Sequence, residues 1–246
     1  VKMTSIRTVL SIAASVNLEI EQLDVKTSFL HGELDKEIYM HQPEGFVEKV
    51  KENMVCQLRK SLYGLKQAPR QWYKKLKSFM LKHGFHKTHV DHCVFVKRYN
   101  EGDFLILLLY LDDMLVVGQN IKKSASLKKA LGKSFAMKNL GPAKQILGMH
   151  IVRDRTKKVL WFSQEKYVIK ILERFNMSEA KPVGSALSTN YKLNAKQCPR
   201  GERDNAEMRK VSYASAIGSL MYVMVYTRPC VAFVVGLVRR YMINPG

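Results

Sequence analysis

The chain has 246 residues, 46% of them hydrophobic, which is enough to bury one large core or two small ones and excludes a chain without a fold. Its 41 basic against 21 acidic residues leave a net charge of +20, far beyond what solubility requires, and point to a polyanionic partner. A membrane partner is not expected: the most apolar run, Phe104 to Val117, is shorter than the roughly 20 residues a span needs and carries Asp112 and Asp113 in its middle.

In chain order, Thr4 is placed to cap a first helix with Ile6, Val9, Leu10, Ala13 and Val16 on one face. Leu18 to Val25 predicts a strand carrying Asp24 near its end, and Gly32 closes the segment after it. From Leu34 to Leu65 short β-like pieces alternate with turns at Pro43, Gly45 and Gly64. Pro69 opens a helix with Trp72, Leu76, Phe79 and Met80 on one face, Trp72 reading as core, and Gly84 stops it. Cys93 to Arg98 and Phe104 to Leu109 predict paired strands, the second returning as Met114 to Val117. Ser124 is expected to cap a helix with Leu127 and Leu131 inward, and Ile146 to Val152 pairs with Val159 to Phe162 as a further hairpin. Helices follow Ser163 and Ser212, the last stopping before Pro229, with 185–210 as a polar linker between them.

Asp112 and Asp113 sit side by side in apolar surroundings with no basic neighbour. Each raises the other's pKa unless a cation is shared, and hard carboxylate oxygens suit Mg²⁺ or Mn²⁺. A solvated hairpin tip explains the run equally well. A third carboxylate would complete a metal site, and Asp24 is the best candidate. Basic residues concentrate in two acid-free tracts, from Gln57 to Val90 and from Met114 to Arg153, as expected of tracks for a nucleic-acid backbone. His83, His86, His89 and His92 beside Cys93 lack a paired zinc frame, since Gly84 breaks any helix that would align them. The four cysteines, Cys56, Cys93, Cys198 and Cys230, are irregularly spaced and read as reduced thiols of an intracellular protein. No targeting or lipidation signal is visible, and a first residue Val1 suggests a piece of a longer chain.

Several phrases together resemble the reverse transcriptases of copia-type retrotransposons. LDVKTSFLHGEL around Asp24 is similar to their first catalytic motif, and Tyr110, Leu111, Asp112 and Asp113 to their YxDD motif. SLYGLKQAPRQWY, Ser61 to Tyr73, looks like their substrate-binding segment, while MKNLGPAKQILGMHIVRD, LERFNM and IGSLMYVMVYTRP extend the likeness along the whole chain. It implies an α+β fold: a right-hand polymerase palm with an antiparallel sheet and helices over 1–162, partial fingers at 34–65, and a helical thumb-like or connection-like part over 163–246.

The same resemblance implies RNA-directed DNA polymerase activity, dNTPs being added to a primer on an RNA or DNA template. Asp24, Asp112 and Asp113 would be catalytic and, with the Val25 backbone carbonyl, would hold two Mg²⁺ ions, with Mn²⁺ as an alternative. Phe29 matches a steric gate against ribonucleotides, although a Phe at such a position is also ordinary core. Gln67, Tyr110, Lys66 and Arg70 match substrate-binding positions. Implied partners are primer and template, dNTPs, and the ribonuclease H and integrase parts of a Pol polyprotein. The implied setting is a cytoplasmic virus-like particle followed by the nucleus. Two departures stand out: the fingers segment expected upstream of the first motif is missing, and Cys230 stands where TRPD is usual. An inactive remnant that binds nucleic acid is therefore the alternative expectation, and a metal-dependent nuclease a more distant one.

Overall fold

The computed structural model describes residues 1–100, 102–185, 187, 193–194 and 197–245. The chain opens with helix α1 (Met3–Ser15), whose buried Ile6, Val9, Leu10, Ala13 and Ala14 recur at helical spacing. Thr4 lies inside this helix and does not cap it; the cap position is Lys2, whose own side chain makes no capping bond. The end is satisfied from a distant segment, the Lys2 amide donating to Asp91 Oδ2 at 2.6 Å, which also sets an acid at the positive end of the helix dipole.

Strand β1 (Glu19–Val25) leads into a 3₁₀ turn, Ser28–His31, closed by Gly32. The short strands β2 (Tyr39–His41) and β3 (Val55–Gln57) pair with each other. Helix α2 (Ala68–Lys82) has a proline in its first turn and buries Trp72, Leu76 and Met80. Its stop uses Gly84 at φ +79°, a conformation that disfavours a side chain. Strands β4 (His86–Lys87), β5 (Val94–Arg98), β6 (Phe104–Tyr110) and β7 (Asp113–Gly118) follow. Helix α3 (Ile121–Ser134) starts earlier than expected because Asn120 is its cap, the side-chain oxygen accepting from the amides of Lys122 and Lys123 at 3.1 and 3.2 Å, and Ser124 is buried within it.

Strand β8 (Met137–Pro142) is absent from the sequence expectations, since Lys138, Asn139, Gly141 and Pro142 are poor strand formers. It forms because it is an edge strand, where proline leaves no ladder bond unmade, and a register shift at Gln22/Leu23 accommodates it. The single strand expected from Ile146 is broken by left-handed Leu147 and Gly148 into β9 (Gln145–Ile146) and β10 (Met149–Asp154), and β11 (Val159–Ser163) completes a three-stranded sheet. Helices α4 (Glu165–Arg174), α5 (Glu202–Met208), α6 (Tyr213–Tyr226) and α7 (Ala232–Val238) end the chain. The expected linker at 185–210 lies partly outside the described residues, and its described end contains α5.

The chain divides into two compact units, 1–144 with 153–160, and 145–152 with 161–246. The first is built on a six-stranded antiparallel sheet of order β4-β5-β6-β7-β1-β8. Leu23, Val25, Leu105, Leu107, Leu109, Met114 and Val116 share one face and pack with Trp72, Leu76 and Met80 of α2 and Leu127 and Leu131 of α3. The alternating positions Ile20, Ile106, Leu108, Leu115 and Val117 point to the opposite face and are buried as well. The carbonyl end of α1 is tied down by Arg153, which donates to the carbonyls of Ala13 and Leu18 at 2.9 and 2.5 Å. In the second unit the Tyr222 ring meets Tyr167 edge to face and Tyr226 at a tilt, and its hydroxyl donates to the Leu147 carbonyl. Buried Gln164 accepts from Thr227 at 2.6 Å. Among the described residues no helix is long and apolar enough to cross a membrane, and all four cysteines are free thiols.

Asp91 is 6% exposed. Burial alone would raise its carboxyl, but bonds from the Lys2 amide, the Ser5 hydroxyl and the Cys93 amide outweigh burial and hold it below the ordinary value of 3.8. Asp91→Asn is therefore expected to lower stability at neutral pH by about 1–3 kcal/mol, read from urea midpoints. With its folded pKa depressed, Asp91 contributes fully above 3.8 and loses that contribution as pH falls through the folded value. The gap between parent and variant should accordingly close in acid.

Candidate active site

Antiparallel pairing brings the acids together. Asp24, at the end of β1, lies directly across from Asp113, the first residue of β7, which in turn pairs with Tyr110, the last of β6. The β6–β7 connection is therefore a turn of two residues, Leu111 and Asp112. Strand alternation puts Asp24 and Asp113 on the face opposite the α2 and α3 core, in line with Gln22 and Leu115. Burial pushes the Asp113 carboxyl up; a hydrogen bond from Gln22 opposes this, and the charges of Asp112 and Asp24 add to the rise. Gln22 was not singled out from sequence, although a position two residues before Asp24 in a strand shares its face.

The turn is held from outside the hairpin. The Val25 amide donates to the Asp112 carbonyl at 3.1 Å, and the Trp72 indole Nε1 donates to the Leu111 carbonyl at 2.8 Å. Trp72 is thus core, as expected, and also a donor; the signal for the second role is that a buried indole N–H needs an acceptor. Among the described residues no three carboxylate, imidazole or thiolate side chains converge tightly enough to cage a metal ion.

Phe29 lies in the 3₁₀ turn after β1, half-buried against the core and 4.9 Å from the Tyr63 ring. It shares a mainly apolar cavity of about 260 Å³ with Tyr110, Leu111, Trp72, Tyr73 and Pro69. Of the substrate-binding segment this cavity takes Pro69, Trp72 and Tyr73, and neither Gln67, Lys66 nor Arg70 lines it. Gln67 occupies the cap position of α2 without capping it, and its buried side-chain Nε2 has no hydrogen-bond partner among the described residues. Lys66 and Arg70 are exposed on either side of it.

The acid-free basic tracts are partly neutralised by acids from other segments. Lys74 meets Asp35 at 2.7 Å, Lys75 meets Glu33 at 3.7 Å, Lys123 meets Asp103 at 2.8 Å and Lys128 meets Glu21 at 2.7 Å. Arg59, Lys60, Lys66, Arg70, Lys82, Lys87, Lys122, Lys129, Lys133, Lys138 and Lys144 remain exposed.

Residues 1–188 match the family model described as reverse transcriptase (RNA-dependent DNA polymerase). The whole chain is 61% identical over 246 residues to the retrovirus-related Pol polyprotein from transposon TNT 1-94 of Nicotiana tabacum, of which it spans 18%. It is 37% identical over 245 residues to the corresponding polyprotein from transposon RE2 of Arabidopsis thaliana, spanning all of this chain and 16% of that one. A putative transposon Ty5-1 protein of Saccharomyces cerevisiae is 29% identical over 224 residues, 91% of this chain and 70% of that protein. The paired Asp24 and Asp113, the YxDD turn and these matches together show that the chain belongs to the reverse transcriptase (RNA-dependent DNA polymerase) family, in its copia-type retrotransposon Pol branch.

Proposed function

We propose that this chain carries the RNA-directed DNA polymerase centre of its polyprotein, extending a primer 3′-hydroxyl with dNTPs on an RNA or DNA template. The observation that carries the reading is the cross-strand pair Asp24 and Asp113 beside the Asp112 turn, in a chain of this family. Asp24, Asp112 and Asp113 are the catalytic acids. Their hard oxygens and the raised Asp113 carboxyl fit divalent cations, Mg²⁺ or alternatively Mn²⁺, with the Val25 backbone carbonyl as a further ligand. When bound, two such ions supply activation of the 3′-hydroxyl and stabilisation of the leaving pyrophosphate.

The chain's other residues bind and orient. Phe29 forms the floor under the incoming sugar and excludes a 2′-hydroxyl, its contact with Tyr63 holding the ring in place. Tyr110 lies against the primer end. The Gln67 amide, whose Nε2 has no partner among the described residues, faces the nucleotide, and Lys66 and Arg70 meet phosphate. In this reading 1–162 is a palm with fingers-like 34–65, and 163–246 is the thumb-like or connection-like part. Ribonuclease H and integrase parts of the polyprotein are the partners, and the setting is a cytoplasmic particle and then the nucleus.

The test is extension of oligo(dT) on poly(rA) with dTTP and Mg²⁺. Asp24→Asn and Asp112→Asn should each lose more activity than the roughly 10–100-fold typical of removing an outer partner of a metal ligand. No extension by the parent overturns the reading, and a shortened primer points to a nuclease. Phe29→Ala should narrow the preference for dTTP over UTP by about tenfold or more, read as a ratio of kcat/KM values. Primer–template affinity should fall with salt by about 0.7–0.9 logarithmic units per logarithmic unit of salt for each phosphate contacted, and charge reversal at exposed Lys133 and Lys138 should flatten that slope.

A further inference from the structure

The turn that carries Asp112 is poorly determined by its own residues. Two-residue hairpin turns favour Asn, Asp or Gly where φ is positive. Here Leu111 takes φ +56°, a conformation that its branched side chain disfavours. Holding it there falls to groups outside the hairpin. The two successive carbonyls of the turn, Leu111 and Asp112, each accept from a different element: the first from Trp72 in α2 at 2.8 Å, the second from the Val25 amide at the end of β1 at 3.1 Å. The peptide planes on both sides of Asp112 are thereby oriented, and those planes set the direction in which its carboxylate leaves the backbone. Trp72 is a firm support. It is 1% exposed and meets the Phe135 ring edge to face, at 5.1 Å and 85°, with Phe135 itself 4% exposed.

We propose that Trp72 is a positioning residue of the metal centre: its indole N–H, held on the Leu111 carbonyl, aims Asp112 at the site shared with Asp24 and Asp113. The proposal rests on the polymerase reading. It predicts that removing one hydrogen from a buried ring alters metal affinity, which a side chain serving only as core filling does not do.

The deciding variant replaces Trp72 by β-(3-benzothienyl)alanine, which keeps the ring's shape and lacks the donor. Binding of Mn²⁺ is followed by electron paramagnetic resonance, Asp112→Asn defining the site-specific fraction. A loss of about 10–100-fold in affinity, the usual effect of removing an outer partner of a metal ligand, supports the proposal. Equal affinity in the isostere and the parent overturns it and leaves the polymerase reading standing. A parent with no Mn²⁺ binding that depends on Asp112 overturns both. A second measurement needs no variant at position 72. With only Trp72 and Trp161 in the chain, the Trp72 indole N–H resonance can be followed through a Mg²⁺ titration. A shift that tracks metal binding and vanishes in Asp112→Asn supports the proposal, and a static resonance overturns it.

Discussion

Register in the β6–β7 hairpin governs the rest of the structure. Strands with one polar face resist slippage because a one-residue shift would expose their apolar side chains. This pair lacks that protection. Leu105 to Leu109 and Met114 to Val117 are all buried, whichever face they point to, so a slipped pairing would still bury apolar side chains. The two-residue turn has to choose the register. Once Tyr110 is opposite Asp113, the pairing of β7 with β1 sets Asp24 opposite Asp113, and the acids meet. Support of that turn by Trp72 and Val25 therefore bears on the sheet and on the candidate active site at once.

The same arrangement explains how three acids stand at the end of an apolar sheet. Only Asp24 and Asp113 belong to strands, and both face away from the α2 and α3 core; Asp112 is in the turn. Gln22 gives Asp113 one hydrogen bond, which does not cancel the effect of burial and of two neighbouring negative charges. A carboxyl left in that state favours a proton or a cation.

Elsewhere charge is better matched than the linear sequence suggests. Lys128 and Glu21 form a pair with both side chains under one-fifth exposed, 18% and 19%, and this lets an acid sit in β1 on the core side. Pairs such as Lys74 with Asp35 are more exposed and contribute little stability. They do remove these lysines from the positive surface offered to a polyanion. The basic field rests on the remaining exposed residues, among them Lys133, Lys138 and Lys144.

Much of this was legible in order along the chain. Helical spacing in α1, α2 and α3, the apolar run through β6 and β7, and the acids at strand ends are local properties, and so are the phrases that mark the family. Other features could not be read that way because their causes lie far apart in sequence. Asp91 caps a helix 89 residues before it; β8 is a strand only because β1 offers it an edge; Thr4 and Ser124 looked like caps until Asp91 and Asn120 took the roles. Leu111 and Trp72, 39 residues apart, are the clearest instance. The sequence by itself determined which residues could carry the chemistry, since residue type and spacing are written there. Only the tertiary structure decided how they are aimed, because a hydrogen bond between a helix and a turn has no periodicity by which a sequence could announce it.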